Sequence, residues 1–414
     1  MDLEDVEEHD DSAYINAENT SESLGNEIGS NDQLLQELLP ELLWRKIREH
    51  ILLIDENKRN YQLLRGILQG ISTYDNELVD RLLDSVVIDE ILGKAYPYLQ
   101  VSIGVDSKGI DRIIKSLIID IAPIWQYKYL SYGRYLDSIS DNDFCGFLEV
   151  ISQKPEGDTV SIDIMNRRLH GHQDKRQSEI IVNLGQTLLL NFNYSNRIHS
   201  LDYEISNIIK VSFNGDNGKE NAKKLCKKII LAIENYELSP REYNNTLYSL
   251  ASIQPLVFMD CFLDREEISY RLKHVFNEGI NSLKNIEPKI ILRWCNVNPD
   301  TRFPIISSVI IPNYRNEKTG GFEWSSLANE IIKDSKKPVE ILNRFKTSFR
   351  PNSWSGSLAK MMQERMGLIT ILKTHENPVI MDWAENKEIE LYKEIEDIKK
   401  WELSFESERN ERFE

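Results

Sequence analysis

Few residues in this chain stand in the patterns that carry known catalytic chemistry. Its 414 residues include four cysteines, Cys145, Cys226, Cys261 and Cys295. They lie far apart and form no C-x-x-C pair, so the short-spaced ligands of a zinc site are missing. Free cysteines of this kind read as small apolar residues buried on helices in a reducing compartment, and a cytoplasmic location is the expectation. The 19 glycines build no G-x-x-x-x-G-K-[ST] phosphate loop, and Gly320-Gly321 reads as an isolated turn. No cofactor is therefore expected. Apolar runs stay short of the ~18–20 residues that span a bilayer: Ile113–Ile124 is broken by Lys115 and Asp120. The start of the chain has neither the basic segment nor the apolar segment of a secretory signal, so no membrane association is expected.

Positive charge is also absent at the start. Residues 1–30 hold ten of the 67 acidic residues, and the first Lys or Arg is Arg45. With Ser and Asn filling the rest, residues 1–31 are too polar to offset chain entropy and are expected to be a disordered acidic tail. Such a tail serves as a solvated leader or as an arm for a basic partner. The net charge of -17 is concentrated there, and the remainder is only mildly acidic. A broad nucleic-acid footprint is not implied. Apolar residues at 41% and charged residues at 28% lie just below and just above the usual globular shares, as a structure with much surface for its core requires.

What is present is helical periodicity. Leu34, Leu35, Leu38, Leu39, Leu42 and Leu43 recur at i, i+3, i+4 spacing, with Asp32 as an N-cap. The same spacing returns in Leu63–Ile71, in Leu78–Val87 behind Asp75, and in Ile110–Ile121 before Pro123. It continues to the long charged stretch 377–405, between turn clusters such as Asn214–Gly218 and Ser239-Pro240. Thr159–Ile164 and Ile305–Ile311 are β-branched, yet no alternating partner run lies nearby, and both read as helix. The expected fold is all-α: irregular stacked helix pairs, a HEAT- or armadillo-like α-solenoid without a fixed repeat period. Its parts would be the tail 1–31, an N-terminal helical region 32–140 and a C-terminal helical-repeat region 141–414.

Four places could carry function. In Trp294-Cys295 through Pro299-Asp300-Thr301-Arg302-Phe303-Pro304, Pro299 and Asp300 read as a helix start, with Asp300 as cap and Arg302 as a bidentate brace. In Phe349–Ala359 (F-R-P-N-S-W-S-G-S-L-A), Pro351 ends one helix and Ser353 or Ser355 caps the next. There Trp354 reads as a large packed anchor and Gly356 as a point of close approach. Lys223, Lys224, Lys227 and Lys228 share one helical face, either solvated or contacting nucleic acid. Arg167 and His172 stand at an R-x4-H spacing that resembles the active-site motif of HEPN-type ribonucleases, where the His does acid–base work and the Arg holds anionic charge. The structural alternative is a basic helix C-terminus that breaks at Gly171.

Trp294 through Pro304, Ser353–Ala359 with Arg365, Trp383-Ala384 and the Glu411–Glu414 ending together resemble the C-terminal HEAT-like helical region of large bacterial anti-phage defence proteins, whose effector is a STAND/NACHT or sirtuin-type domain. The resemblance implies a helical sensor in bacterial antiviral defence, in which Trp294, Arg302, Trp354, Gly356, Arg365 and Trp383 are packing and interaction residues. No effector domain precedes the array here, so the expectation is a C-terminal piece or a subunit whose effector is separate. The expected function is a non-enzymatic scaffold or sensor that binds a protein partner, an effector subunit or phage protein. The alternatives are a HEPN-like ribonuclease using Arg167 and His172, and a nucleic-acid-binding helical array.

Overall fold

A computed structural model of the chain describes residues 35–171, 176–194, 201–265, 268–277 and 281–411. The acidic tail, the Asp32 cap and His172 lie outside the described residues. The fold is all-α, with a single two-stranded hairpin among the described residues. Residues up to Asn193 together with Tyr203–Ser212 form one compact unit, and Tyr194–Asp202 with Phe213 onward form another. Residue 140, the expected end of the N-terminal helical region, lies inside the first unit.

The first unit contains α1 (Leu35–Leu52), α2 (Gln62–Ser72), α3 (Asn76–Val87), α4 (Tyr96–Gln100), α5 (Ser107–Ile119), α6 (Asp141–Ser152), α7 (Gly157–Leu169), α8 (Glu179–Asn191) and α9 (Asp202–Ser212). Short polar side chains start several of them: Asp75, Asp106, Ser140 and Ser178 each accept a first-turn backbone N–H. Asp75 thus caps α3 as its position before the apolar stripe predicts. Helices pack on chain neighbours, α2 on α3, α5 on α6, α6 on α7 and α8. The expected stripes face inward: Leu64, Ile67, Leu68 and Ile71 of α2 and Phe144, Phe147, Leu148 and Ile151 of α6 are buried. Thr159–Ile164 is helical, as read. Arg112, almost fully buried, reaches from α5 to Asp80 at 2.6 Å and Asp84 at 2.7 Å on α3.

The second unit follows the same logic with α10 (Gly215–Glu234), α11 (Asn244–Ile253), α12 (Pro255–Phe262), α13 (Tyr270–Lys273), α14 (Pro288–Val297), α15 (Pro299–Ser307), α16 (Ser326–Asp334), α17 (Pro338–Arg344), α18 (Leu358–Arg365), α19 (Gly367–Leu372) and α20 (Pro378–Glu411). Here α10 packs on α12, α14 on α15, and α20 receives α17, α18 and α19. Asp202, which belongs to this second unit, caps α11 from a distance in sequence, accepting the Thr246 N–H at 2.7 Å and the Asn245 N–H at 2.9 Å.

Several expectations need correction. Ile305–Ile311 is helical only to Ser307. Beyond it the chain forms β1 (Asn313–Arg315) and β2 (Phe322–Trp324), antiparallel with Tyr314 opposite Glu323. Gly320, at φ +71°, belongs to the turn of this hairpin and is not an isolated turn. Three residues per strand are too few for an alternating pattern to show. Asp300 caps nothing: α15 begins at Pro299 behind Asn298, and Asp300 instead lies 3.6 Å from Lys337. α18 is capped by Ser357, whose Oγ accepts the Lys360 N–H at 3.1 Å; Ser353 and Ser355 take no part.

Candidate functional site

A cleft in the first unit is built on a turn of 3-10 helix. α5 ends at Ile119, Asp120 turns left-handed at φ +64°, and Pro123 leads into the 3-10 segment Ile124–Ser131. With three residues per turn, side chains at i and i+3 eclipse. Tyr127 and Leu130 therefore point inward and are buried, while Gln126, Tyr129 and Tyr132 form an adjoining row. The Tyr127 hydroxyl is held at 2.7 Å from Ser116 of α5. Tyr129 packs edge-on against Tyr98 of α4 at 4.9 Å and against Tyr132 at 5.4 Å, and Trp125 stands 57% exposed beside them.

Opposite these rings runs the segment Glu56–Gln62, which brings in Arg59 and Tyr61. The resulting cleft encloses about 980 Å³. Arg65 reinforces its wall with its guanidinium 5.2 Å from the Tyr98 ring centre. The cations lining the cleft are largely engaged: Lys94 pairs with Glu56 at 2.6 Å, Lys58 lies 3.7 Å from Asp55, and Arg59 donates to the Ile54 carbonyl at 3.1 Å. The Lys94 ammonium holds the Glu56 carboxyl below its ordinary value. Burial pushes the Tyr61 phenol up, so it stays a hydrogen-bond donor. The side-chain oxygen of Gln126 is buried without a partner in the cleft wall. This set can stack on flat or apolar groups and exchange hydrogen bonds, and it includes no nucleophile with an adjacent base. Aromatic density was its signal in the sequence, because Pro123–Tyr135 holds Trp125, Tyr127, Tyr129, Tyr132 and Tyr135. Helical periodicity passes over it, since the segment repeats every three residues.

Among the residues singled out in sequence, Arg167 sits half-buried in the last turn of α7 and donates to the Gly133 carbonyl at 2.8 Å. Its neighbour Arg168 donates to the Leu136 carbonyl, to the Ile139 carbonyl at 3.0 Å and to Asp141 at 3.0 Å. Both arginines clasp the chain that leads from the cleft into α6. His172 lies outside the described residues, so the Arg167–His172 pair has no geometry to report.

Trp294 and Arg302 come together as the bidentate reading requires. Trp294 is buried and donates from its indole N–H to Asp260 at 2.8 Å. Arg302 stacks on that indole and bonds Asp260 at 3.1 Å and Asp264 at 2.8 Å. Arg365 donates to the Thr347 carbonyl at 3.0 Å, and Trp383 donates to Asn343 at 2.9 Å. The Phe349–Ala359 corner differs from expectation. Trp354 is not its anchor: at 45% exposure it stands out in solvent with residues 352–357. Phe349, only 2% exposed, packs against Trp324 and Trp383 instead. Gly356 has no atom close to where a Cβ would be, and its role is the left-handed turn at φ +80° rather than close approach.

The cysteines also depart from a uniform buried set. Cys226 and Cys295 are buried, whereas Cys145 and Cys261 are only half-buried. Burial pushes the Cys295 thiol up to about 12, and burial aided by the Glu149 carboxylate pushes Cys145 up to about 11. Although far apart in sequence, Cys226 and Cys261 lie on helices that pack on one another, α10 and α12. A second cavity of about 300 Å³ opens beside Cys261 and includes Lys223, one of the four clustered lysines.

Among the described residues no group of three or more His, Cys, Asp and Glu could hold a metal ion, and no helix is long and apolar enough to cross a membrane. Comparison with known protein families, with curated proteins and with solved structures finds no match for this chain.

Proposed function

We propose that the chain is a non-enzymatic helical scaffold or sensor that binds a protein partner, and that the cleft of the first unit is where a segment of that partner docks. The observation that carries this reading is the lining of the cleft. Trp125, Tyr98, Tyr129, Tyr61 and Arg59 are the residue types that dominate binding energy at protein interfaces. A volume of about 980 Å³ suits several side chains of an extended segment. Engaged cations favour a peptide over a polynucleotide, because phosphate binding needs a row of cations free to displace counterions. Helices stacked on chain neighbours support an irregular solenoid, an architecture that presents extended surfaces to proteins. A role in bacterial antiviral defence, with a separate effector or a phage protein as partner, rests on the sequence resemblance alone.

A displayed library of random peptides, selected on the full chain, tests the reading. Enriched peptides are expected to lose at least about tenfold in affinity when Trp125 and Tyr129 are both replaced by alanine, as truncated interface anchors do. Failure to enrich any peptide, with salt-dependent binding of a single-stranded oligonucleotide abolished by the same pair of substitutions, would replace the protein partner with a nucleic acid.

A further inference from the structure

The cleft of the first unit carries more positive than negative charge: Lys58, Arg59 and Lys94 line it against a single carboxylate, Glu56. The acids that engage its lysines are exposed, Glu56 beside Lys94 at 64% and Asp55 beside Lys58 at 78%. Exposed pairs of this kind hold weakly, so an arriving carboxylate can take over either ammonium. Beside those cations stand the rings of Trp125, Tyr98 and Tyr129. A fitting occupant is a short segment with an aromatic or branched side chain set among a few carboxylates.

The chain itself holds such a segment. Asp10–Glu18 reads D-D-S-A-Y-I-N-A-E, with Asp10, Asp11 and Glu18 as acids and no Lys or Arg. Tyr14 is the only Phe, Tyr or Trp before Trp44, and Ile15 follows it. Chain length brings this segment within reach of the cleft. Residues 1–34 precede α1, which Arg48–Asp89 at 2.5 Å and Arg81–Glu41 at 3.5 Å tie to α3 and the turn after it. The 18 residues of α1 and the link from Leu52 to Glu56 put its start no more than about 40 Å from the cleft rim. Between Tyr14 and Leu35 lie about 20 residues rich in Ser, Asn and Gly, which span about 25 Å on average and about 70 Å when extended. A segment tethered on this scale meets its site at an effective concentration on the order of 1 mM.

We propose that Asp10–Glu18 docks in the cleft of its own chain and competes there with the partner segment. Tyr14 and Ile15 supply the apolar contact to Trp125 and Tyr129, and the carboxylates pair with Lys58 and Lys94. The competition rests on the partner-docking reading above, whereas the docking of the tail does not. Tail binding at about 100 µM would lower the affinity for a partner about tenfold, the ratio of effective concentration to that constant.

Two readouts on the full chain test the two halves separately. A dilute equal mixture of ¹⁵N-labelled and unlabelled chains is treated with a carbodiimide, which joins a carboxylate to an amine in direct contact. Crosslinks from Asp10, Asp11 or Glu18 to Lys58 or Lys94 are expected within one isotope class. They should fall at least about fivefold in Tyr14→Ala with Ile15→Ala, and likewise in Trp125→Ala. Trp125 is 57% exposed, and circular dichroism checks that each variant matches the wild type. Should Trp125→Ala fail that check, the tail pair alone carries the comparison. Absence of these crosslinks overturns the proposal, as do crosslinks unchanged by the tail substitutions or formed only between isotope classes. In the second readout, peptides from the displayed library should bind Tyr14→Ala with Ile15→Ala about tenfold more tightly than wild type. Equal affinities overturn the competition. If neither chain enriches a peptide, the partner reading falls, and the crosslinks still decide whether the tail docks.

Discussion

The guanidinium of Arg302 lies 4.2 Å from the ring centre of Trp294, and both side chains bond the same carboxylate, that of Asp260. One planar cation thus ties α14, α15 and α12 together, with Asp264 as a second acceptor and the Trp294 carbonyl as a third. The arginine is nearly buried while its acid partners stay substantially exposed, so its removal frees carboxylates that water can still reach.

Arg302→Ala is therefore expected to cost roughly 2–4 kcal/mol, below the cost of orphaning a fully buried ion pair. Arg302→Lys should recover only part of it, because an ammonium cannot span both aspartates while stacking on an indole. Urea denaturation followed by Trp fluorescence measures both. A lysine variant as stable as the wild type would show that charge alone matters.

At the Phe349–Ala359 corner the expected order of effects is the reverse of the one hydrophobic size suggests. Trp354→Ala should change stability by no more than about 0.5 kcal/mol, as exposed positions do. Phe349→Ala should cost about 3–5 kcal/mol through the cavity left between Trp324 and Trp383. Equal midpoints in thermal denaturation would contradict this placement of the two rings.

Asp80 gives the first unit an acid sensitivity of predictable sign. Burial raises its carboxyl, but hydrogen bonds from Lys108 and Arg112 together with their charges outweigh that and hold it below the ordinary aspartate value. A carboxyl depressed on folding contributes stability above its unfolded value and loses that contribution as pH falls through its folded value. The melting temperature of Asp80→Asn should accordingly be lower than wild type at neutral pH and should converge on it below about pH 4. Parallel curves at all pH values would exclude Asp80 as the titrating group.

Arg167 and Arg168 separate a structural clasp from a catalytic one. Arg168→Ala, which frees two carbonyls and Asp141, is expected to cost about 2–3 kcal/mol, and Arg167→Ala about 1 kcal/mol. Single-stranded RNA incubated with the purified full chain should remain intact. Cleavage that disappears when Arg167 and His172 are both replaced by alanine would make the chain a ribonuclease and displace the binding reading.

The amino-acid pattern by itself determined the helical class, because stripes such as Leu64–Ile71 and Phe144–Ile151 repeat at the period only a helix can bury on one side. It also determined the Asp75 cap and the Arg302 brace, where local chemistry leaves one good partner type. Tertiary structure alone decided what depends on contacts between distant segments. The Glu402 carboxylate reaches the N-terminus of α18 to accept the Leu358 N–H at 2.7 Å and the Ala359 N–H at 3.2 Å, from a helix whose sequence reads only as long and charged. Which tryptophan is buried was decided the same way: Trp294 and Trp354 have equal hydrophobicity, and neighbours from other helices cover only the first. The aromatic cleft needs the 3-10 turn at Ile124–Ser131 to meet the Glu56–Gln62 segment, and the cavity beside Cys261 needs α10 to lie on α12. Spacing along the chain carries no trace of either meeting, because each is set by how whole helices bury their apolar faces against one another.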